Sequence, residues 1–396
     1  MSDVNLGRWR LSIFALFLAN GFTMATWASR IPAVASSLDL RVVELGAIVT
    51  AIPLGAIIGL IVSSHLLHAL GEKRTAVIAQ SIMCIAIAAI GVTATVLGSI
   101  PLAAVGLFLY GVGISTTNIV INLEAASIDR LSAKTRMPMF HATWSIGAVA
   151  GAGIGALLIR AEVPISIHFT VVAIAVLVVS LIVIPQFPVI DHDTATAEKP
   201  GFGERMRVWL EPRTLLIGII VLAAAFTEGT ANTWLSVAMV KGRDWEPAAG
   251  AALLTVFTAS MMFARFGAGH AVDRFGRVAV LRFAFASAGS GILLVALVDS
   301  PVAIIGGVIL WGLGASVGYP LGMSAVSDEP RNAAARVSAA ATVATVAGLA
   351  GPSIIGGLGE VLGLPLAFVA IAALVLAGLT IAGAARPPVS APAPHA

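Results

Sequence analysis

Ala225 to Ser236 reads AFTEGTANTWLS and places a carboxylate, Glu228, near the middle of a long apolar segment. Counted from Arg213 at the segment's polar edge, Glu228 lies about 20 Å along a helix axis, inside a hydrocarbon core about 30 Å thick. A carboxylate at that depth is costly, and such groups face a bundle interior or an aqueous cavity and mark proton or solute paths. An earlier stretch, Ala19 to Ser29 (ANGFTMATWAS), matches it: Asn20-Gly21 answers Glu228-Gly229, and Thr26-Trp27-Ala28-Ser29 answers Thr233-Trp234-Leu235-Ser236. The chain therefore reads as two copies of one unit, with Glu228 as the asymmetry between them.

Composition sets the class. Of 396 residues, 58% are hydrophobic and 11% charged, too little polar surface to cover a soluble globule of this size. Long apolar runs between short charged loops predict an all-α integral membrane protein, because each spanning backbone must satisfy its own hydrogen bonds in lipid. A barrel would show short alternating strands instead. The formal charge of +3 carries no nucleic-acid signal. Cys84 stands alone in an apolar segment, which leaves no disulfide framework and no metal-site spacing. Arg8, Arg10 and the small residues Ala33-Val34-Ala35 superficially resemble a secretion signal, but the apolar run is too long and Arg30 interrupts it. The first segment is expected to remain as a span.

Twelve spans can be drawn, the first over 11–34 and the last over 364–384. One set of loops holds Lys73, Arg74, Arg130, Lys134, Arg136, Lys199, Arg205, Arg207, Arg213, Arg274, Arg277, Arg331 and Arg336. The other set holds only Arg41, Arg160, Lys241 and Arg243. The positive-inside rule then puts both termini in the cytoplasm. The expected organisation is an N-terminal six-helix bundle over 1–185, a cytoplasmic linker over 186–213, a C-terminal six-helix bundle over 214–385 and a disordered Pro/Ala-rich tail over 386–396. Within the linker, Phe202, Met206, Trp209 and Leu210 recur at helical spacing opposite Glu204, Arg205 and Arg207, which predicts a short interfacial helix.

The repeat extends further. Tyr110-Gly111-Val112-Gly113-Ile114-Ser115 recurs as Trp311-Gly312-Leu313-Gly314-Ala315-Ser316, and at the same offset Gly147 and Gly155 fall on Gly348 and Gly356. Six spans per half give both copies the same orientation, the arrangement in which a solute site lies between halves and access alternates by rocking.

The loop Gly269-His270-Ala271-Val272-Asp273-Arg274-Phe275-Gly276-Arg277 resembles the G-x-x-x-D-R-x-G-R signature of the major facilitator superfamily. TWASRIPAV (Thr26 to Val34), FHATWSIGAVAGAGIG (Phe140 to Gly155), EGTANTW (Glu228 to Trp234), GYPLGMSAVSD (Gly318 to Asp328) and AGLAGPSIIGG (Ala347 to Gly357) resemble its sugar-porter-related, fucose-permease-like branch of bacterial inner-membrane permeases. The resemblance implies the twelve-helix fold with two pseudo-symmetric bundles, alternating access, a bacterial inner-membrane location and, often, proton symport of a small polar solute. It also implies a cytoplasmic latch formed by Asp273, Arg274, Gly276 and Arg277 against the start of the fifth helix near His141. The chain departs from the pattern in two places. In the first-half copy of the signature, aligning Gly71 with Gly276 puts His68 where the second copy has Asp273. The positions matching the coupling acids of fucose permease are about Ala28 and Thr116. Glu228 is left as the acid at midplane.

On the first helix Asn20, Thr23, Trp27 and Arg30 share one face, and on the fourth Ser115, Asn118 and Asn122 do the same. With Asn232, Trp234 and Tyr319 these are the candidate solute contacts: amides and hydroxyls to bond a polar solute, rings to stack on its apolar face. The same Asn and Thr residues also serve as interhelical glue in many membrane proteins, a modest stabilisation of about 1 kcal/mol per contact. Glu228 is the candidate proton-coupling residue, with Arg30 and Arg265 as candidate partners, although Arg265 reads rather as a structural member of the GHAVDRFGR neighbourhood. Glu124, off the asparagine face, is expected to pair with loop arginines such as Arg130. There is no catalytic, metal or nucleotide-binding constellation, so neither an enzyme nor a cofactor is expected. The expected partners are protons, a small-molecule substrate and lipid, with the protein a monomer that binds no nucleic acid. The favoured function is a proton-coupled permease for a small polar, sugar-like solute. The rivals are a proton-driven exporter of amphipathic compounds and a non-transporting membrane receptor or scaffold.

Overall fold

A computed structural model of the chain describes residues 5–131, 136–188, 207–328 and 332–387. Among these, eleven continuous helical segments are long and apolar enough to cross a membrane. One of them, Val42–Leu97, contains 56 residues and is folded back at Gly71, where φ 73° and ψ 175° stop the helix. It therefore supplies two spans, and the total is twelve, as the hydropathy pattern predicts. We number them α1 (Leu6–Ser37), α2 and α3 (the arms of Val42–Leu97 before and after Gly71), α4 (Ile100–Leu131), α5 (Met137–Arg160), α6 (Ile165–Gln186), α7 (Pro212–Arg243), α8 (Pro247–Phe275), α9 (Arg277–Leu297), α10 (Pro301–Val326), α11 (Ala333–Leu362) and α12 (Leu364–Ala385). The break between α8 and α9 falls at Gly276, with φ 81°. Gly71 and Gly276 are the residues that the repeat aligns. Both adopt a left-handed φ that favours glycine, so the two copies turn their second and third helices by the same backbone device.

The predicted interfacial helix around Phe202 and Met206 lies outside the described residues, apart from a turn over 207–210. The tail over 388–396 also lies outside them.

By contact the chain divides into two units. One comprises Met1–His192, Thr230–Met262 and Leu349–Ala367, and the other Asp193–Gly229, Phe263–Gly348 and Phe368–Ala396. Helices α7, α8, α11 and α12 each pass from one unit to the other partway along their length.

In the first unit, small residues let the helices touch backbone to backbone, as packing in lipid requires when no hydrophobic force acts between helices. A Cβ at Gly21 of α1 would collide with the carbonyl of Trp144 on α5, and one at Gly147 of α5 with that of Leu18. Gly55 and Gly59 of α2 approach Phe108 and Val112 of α4 in the same way. The glycine-rich run of α5 therefore serves close helix packing. The same unit includes contacts with the far halves of α7 and α11: Lys241 donates to the Leu40 carbonyl (2.8 Å), the Thr50 and Ser353 hydroxyls stand 2.9 Å apart, and the Val43 amide donates to Glu360 (3.3 Å).

In the second unit, Gly291 on α9 and Gly307 on α10 pack backbone to backbone. The buried Trp311 of α10 donates from Nε1 to the Thr227 carbonyl of α7 (3.1 Å). Outside these interfaces, Leu60, Ile85, Ile182, Phe283, Val302 and Val361 are exposed, the surface of a helix bundle whose solvent is hydrocarbon.

Candidate functional site

On α4, Ser115, Asn118 and Asn122 line a cavity of about 390 Å³ together with Ala56, Ile114 and Ile119. The spacing explains the stripe: residues three and four apart lie on one helical face. Asn20 of α1 is fully buried and donates from Nδ2 to Asn118 Oδ1 (3.3 Å), while Asn122 donates to the Asn118 backbone carbonyl (2.7 Å). Asn118 Nδ2, Asn122 Oδ1 and the Ser115 hydroxyl make no hydrogen bond to other described residues, so the cavity wall offers both donors and acceptors. Its lining has no charged group.

The other predicted solute contacts on α1 are placed elsewhere. The Thr23 hydroxyl is buried and bonds back to the Ala19 carbonyl (2.7 Å), and Trp27 packs its buried ring 6.4 Å from that of Phe169. Arg30, 4% exposed, donates from Nε to His168 Nδ1 (3.1 Å) and from a terminal nitrogen to the Val163 carbonyl (3.0 Å). It holds α1 to the start of α6 and does not line the cavity. The shared helical face was legible, but the neighbour across it was not.

In the second unit, Glu228 on α7 forms an ion pair with Arg265 on α8, Arg265 Nη2 to Glu228 Oε2 at 3.1 Å, with the Glu228 and Arg265 side chains 24% and 29% exposed. Arg265 donates from Nε to the Ser316 carbonyl of α10 (3.2 Å), where that helix is interrupted. Of the two candidate cations, the pairing therefore selects Arg265 over Arg30. Tyr319, 39% exposed, lies within electrostatic reach of Glu228. A Cβ at the adjacent Gly229 would meet no atom. Three residues beyond Glu228, α7 winds into a π-helical turn over Ala231–Leu235, a distortion that often marks functional sites in helices. Asn232 is half-buried within this turn. Trp234 is fully buried near Gly356, its indole N–H unpartnered.

Of the signature loop, Asp273 and Arg274 are exposed, Arg274 standing over the Phe275 ring at 5.4 Å, and Gly276 caps α9. Arg277 makes a two-pronged ion pair with Asp328 (2.8 and 3.0 Å), and Arg213 joins the same carboxylate at 2.8 Å. Burial pushes the Asp328 carboxyl up, but the two guanidiniums outweigh it and hold it below the usual carboxylate range. This hub ends α10 and ties it to α7 and α9. The available sequence signal was an acid at a span's polar end, with arginines at two other span ends. His141 is exposed at the start of α5, its ring edge-on to Phe17 at 5.1 Å. Glu124 does not pair with Arg130, which bonds Ser127 instead (2.6 Å). It accepts from Trp9 Nε1 at 2.7 Å in a fully buried setting.

Twelve membrane-crossing helices, glycine-mediated packing, a polar cavity and an intramembrane ion pair define a polytopic helical transporter. The family model of the Major Facilitator Superfamily matches residues 11–352 and 217–396, and the chain belongs to that superfamily. It is 32% identical over 380 residues to an uncharacterised transporter, y4wD, of Sinorhizobium fredii, covering 93% of this chain and 98% of that one. It is 26% identical over 377 residues to an uncharacterised MFS-type transporter of Yersinia pestis, covering 94% and 93%. Among solved structures, the nucleoside transporter NupG superimposes with a TM-score of 0.75 at 14% identity, over 95% of this chain and 98% of that one. A bacterial homologue of the human lysosomal transporter Spinster, inward-facing and unoccupied, gives 0.72 at 13% identity, over 97% and 98%. These two likenesses concern the fold.

Proposed function

We propose that this transporter moves a small, uncharged polar solute of sugar-like chemistry across a bacterial inner membrane by alternating access, coupled to protons through Glu228. The observation that carries the reading is the Glu228–Arg265 pair: a carboxylate midway along the membrane-length helix α7, partly exposed, held by one guanidinium. Glu228 lies one residue before the end of the α7 portion of its unit, Gly229, and Arg265 lies just past the Met262–Phe263 crossing of α8. Protonating Glu228 removes the charge that holds Arg265, while the Ser316 carbonyl retains the guanidinium. The link between α7 and α8 then weakens where both helices pass between units. The uncharged cavity on α4, with amide and hydroxyl groups of both senses, suits a polyhydroxylated or heterocyclic solute. Trp27 and Trp234 are both buried and absent from its lining, which favours a polar solute over an amphipathic one.

The test is uptake into proteoliposomes with an imposed pH gradient, using solutes chosen from a panel of hexoses, polyols and nucleosides by thermal stabilisation of the protein. Glu228→Gln is expected to abolish proton-driven accumulation while solute counterflow persists. If both remain intact, the coupling assignment fails. If no member of the panel shifts stability, the reading of the solute fails.

A further inference from the structure

Glu124 belongs to no part of the transport reading, yet it is an acid 1% exposed within an apolar cluster of Trp9, Ile13, Val120, Ile121, Ile128 and Phe140. One carboxyl oxygen, Oε2, accepts from Trp9 Nε1 at 2.7 Å, and the other, Oε1, faces no donor. What lies beside it is a second carboxyl, that of the half-buried Glu72. Two carboxylates are both acceptors, and neither can satisfy the other unless a proton lies between them. Glu72 sits directly after the Gly71 break, in the first turn of α3, where the helix dipole favours the anion. Lys73, the other charged group acting on Glu124, is held by the Pro185 carbonyl at 3.3 Å. Helix α1 contributes Trp9 to the site, and α5 contributes the apolar Phe140.

We propose that Glu124 and Glu72 form a proton-binding site separate from Glu228, with the proton on Glu124. In that state Glu124 Oε1–H donates to the Glu72 carboxylate while Oε2 accepts from Trp9, so every polar atom of Glu124 is satisfied and α1, α3 and α4 are joined at one end of the bundle. Loss of the proton turns the buried Glu124 into an anion whose Oε1 faces the Glu72 carboxylate and no donor, where burying a charge is costly, and loosens the end of α1 that carries Trp9. The folded protein thus holds one proton that the unfolded chain releases at neutral pH, and its stability falls as pH rises.

Infrared spectroscopy of the purified protein at neutral pH tests this directly. The wild type is expected to show the carbonyl stretch of a protonated carboxyl that Glu124→Gln removes. Glu72→Gln is expected to remove it too, because the new amide can donate to an ionised Glu124. Glu228→Gln should leave that band in place, which separates this site from the coupling residue. In thermal unfolding between about pH 6 and 8, the wild-type Tm should fall relative to that of Glu124→Gln, whose amide keeps the link without a proton. A band that persists in both Glu124→Gln and Glu72→Gln overturns the proposal, as does a pH dependence of Tm equal in wild type and Glu124→Gln. Should Glu124→Gln not fold, Glu72→Gln carries both readouts.

Discussion

Asp328 receives both guanidiniums of the second-unit hub while its side chain is only 12% exposed. Removing one partner of a largely buried pair leaves charge uncompensated, at a cost of about 3 kcal/mol. Asp328→Asn is therefore expected to lower stability by that order, read as a drop in Tm of the purified protein. Because the folded carboxyl sits below its ordinary value, the contribution is fully present above the unfolded-state value of about 3.9 and is lost as pH falls through the lower, folded value. The gap between wild type and Asp328→Asn should hold from neutral pH to about 4 and close below it; a gap that closes at neutral pH contradicts the assignment. Neither Asp328 nor the Trp9–Glu124 contact was selected from the sequence. The partners lie 51 and 115 residues apart in the chain, so only the crossing of helices reveals them. Glu228 was legible because a charge inside an apolar run is conspicuous without knowing its neighbour.

At the scale of elements, glycines with the same sequence signal do different things. Gly21 of α1 abuts the Trp144 carbonyl of α5, whereas a Cβ at Gly306 of α10 would meet nothing. Gly21→Ala must push two backbones apart and is expected to destabilise by about 1–3 kcal/mol or more. Gly306→Ala removes only backbone freedom and is expected to stabilise by up to about 1 kcal/mol. Thermal unfolding of the two variants checks this, and equal shifts would contradict the helix contact. Periodicity places a glycine on a helix face, but the face it meets depends on how two helices cross. The twelve spans were predictable because hydropathy responds to the lipid each helix must enter. The exact beginning of α1 was less so: it starts at Leu6 rather than Leu11, with the Asn5 side chain capping it by accepting from the Arg8 amide (3.1 Å).

At the scale of the molecule, α7, α8, α11 and α12 each belong partly to one unit and partly to the other. The Thr50–Ser353 contact joins the beginning of α2 to the far half of α11 within one unit. A transport cycle that separates those segments must break it. A Thr50→Cys/Ser353→Cys pair is expected to crosslink on oxidation and arrest solute counterflow, with a reductant restoring it. Counterflow that continues in the crosslinked protein would show that the two segments stay together throughout the cycle.

The sequence by itself determined that this chain crosses a membrane twelve times, repeats one unit, belongs among major facilitators and carries an acid at midplane. The spans and the conspicuous acid follow from local chemistry, apolar length and the expense of charge in hydrocarbon, whereas the family rests on the resemblance of the loop from Gly269 to Arg277 and on the matching family model. Only the tertiary structure decided that Arg265 rather than Arg30 faces Glu228, that Arg30 serves His168, that the amides of α4 line a cavity and that Glu124 meets Trp9 and Glu72. Those pairings depend on the rotation and crossing of helices far apart in the chain. The polar positions on each helix define its faces without defining which face meets which.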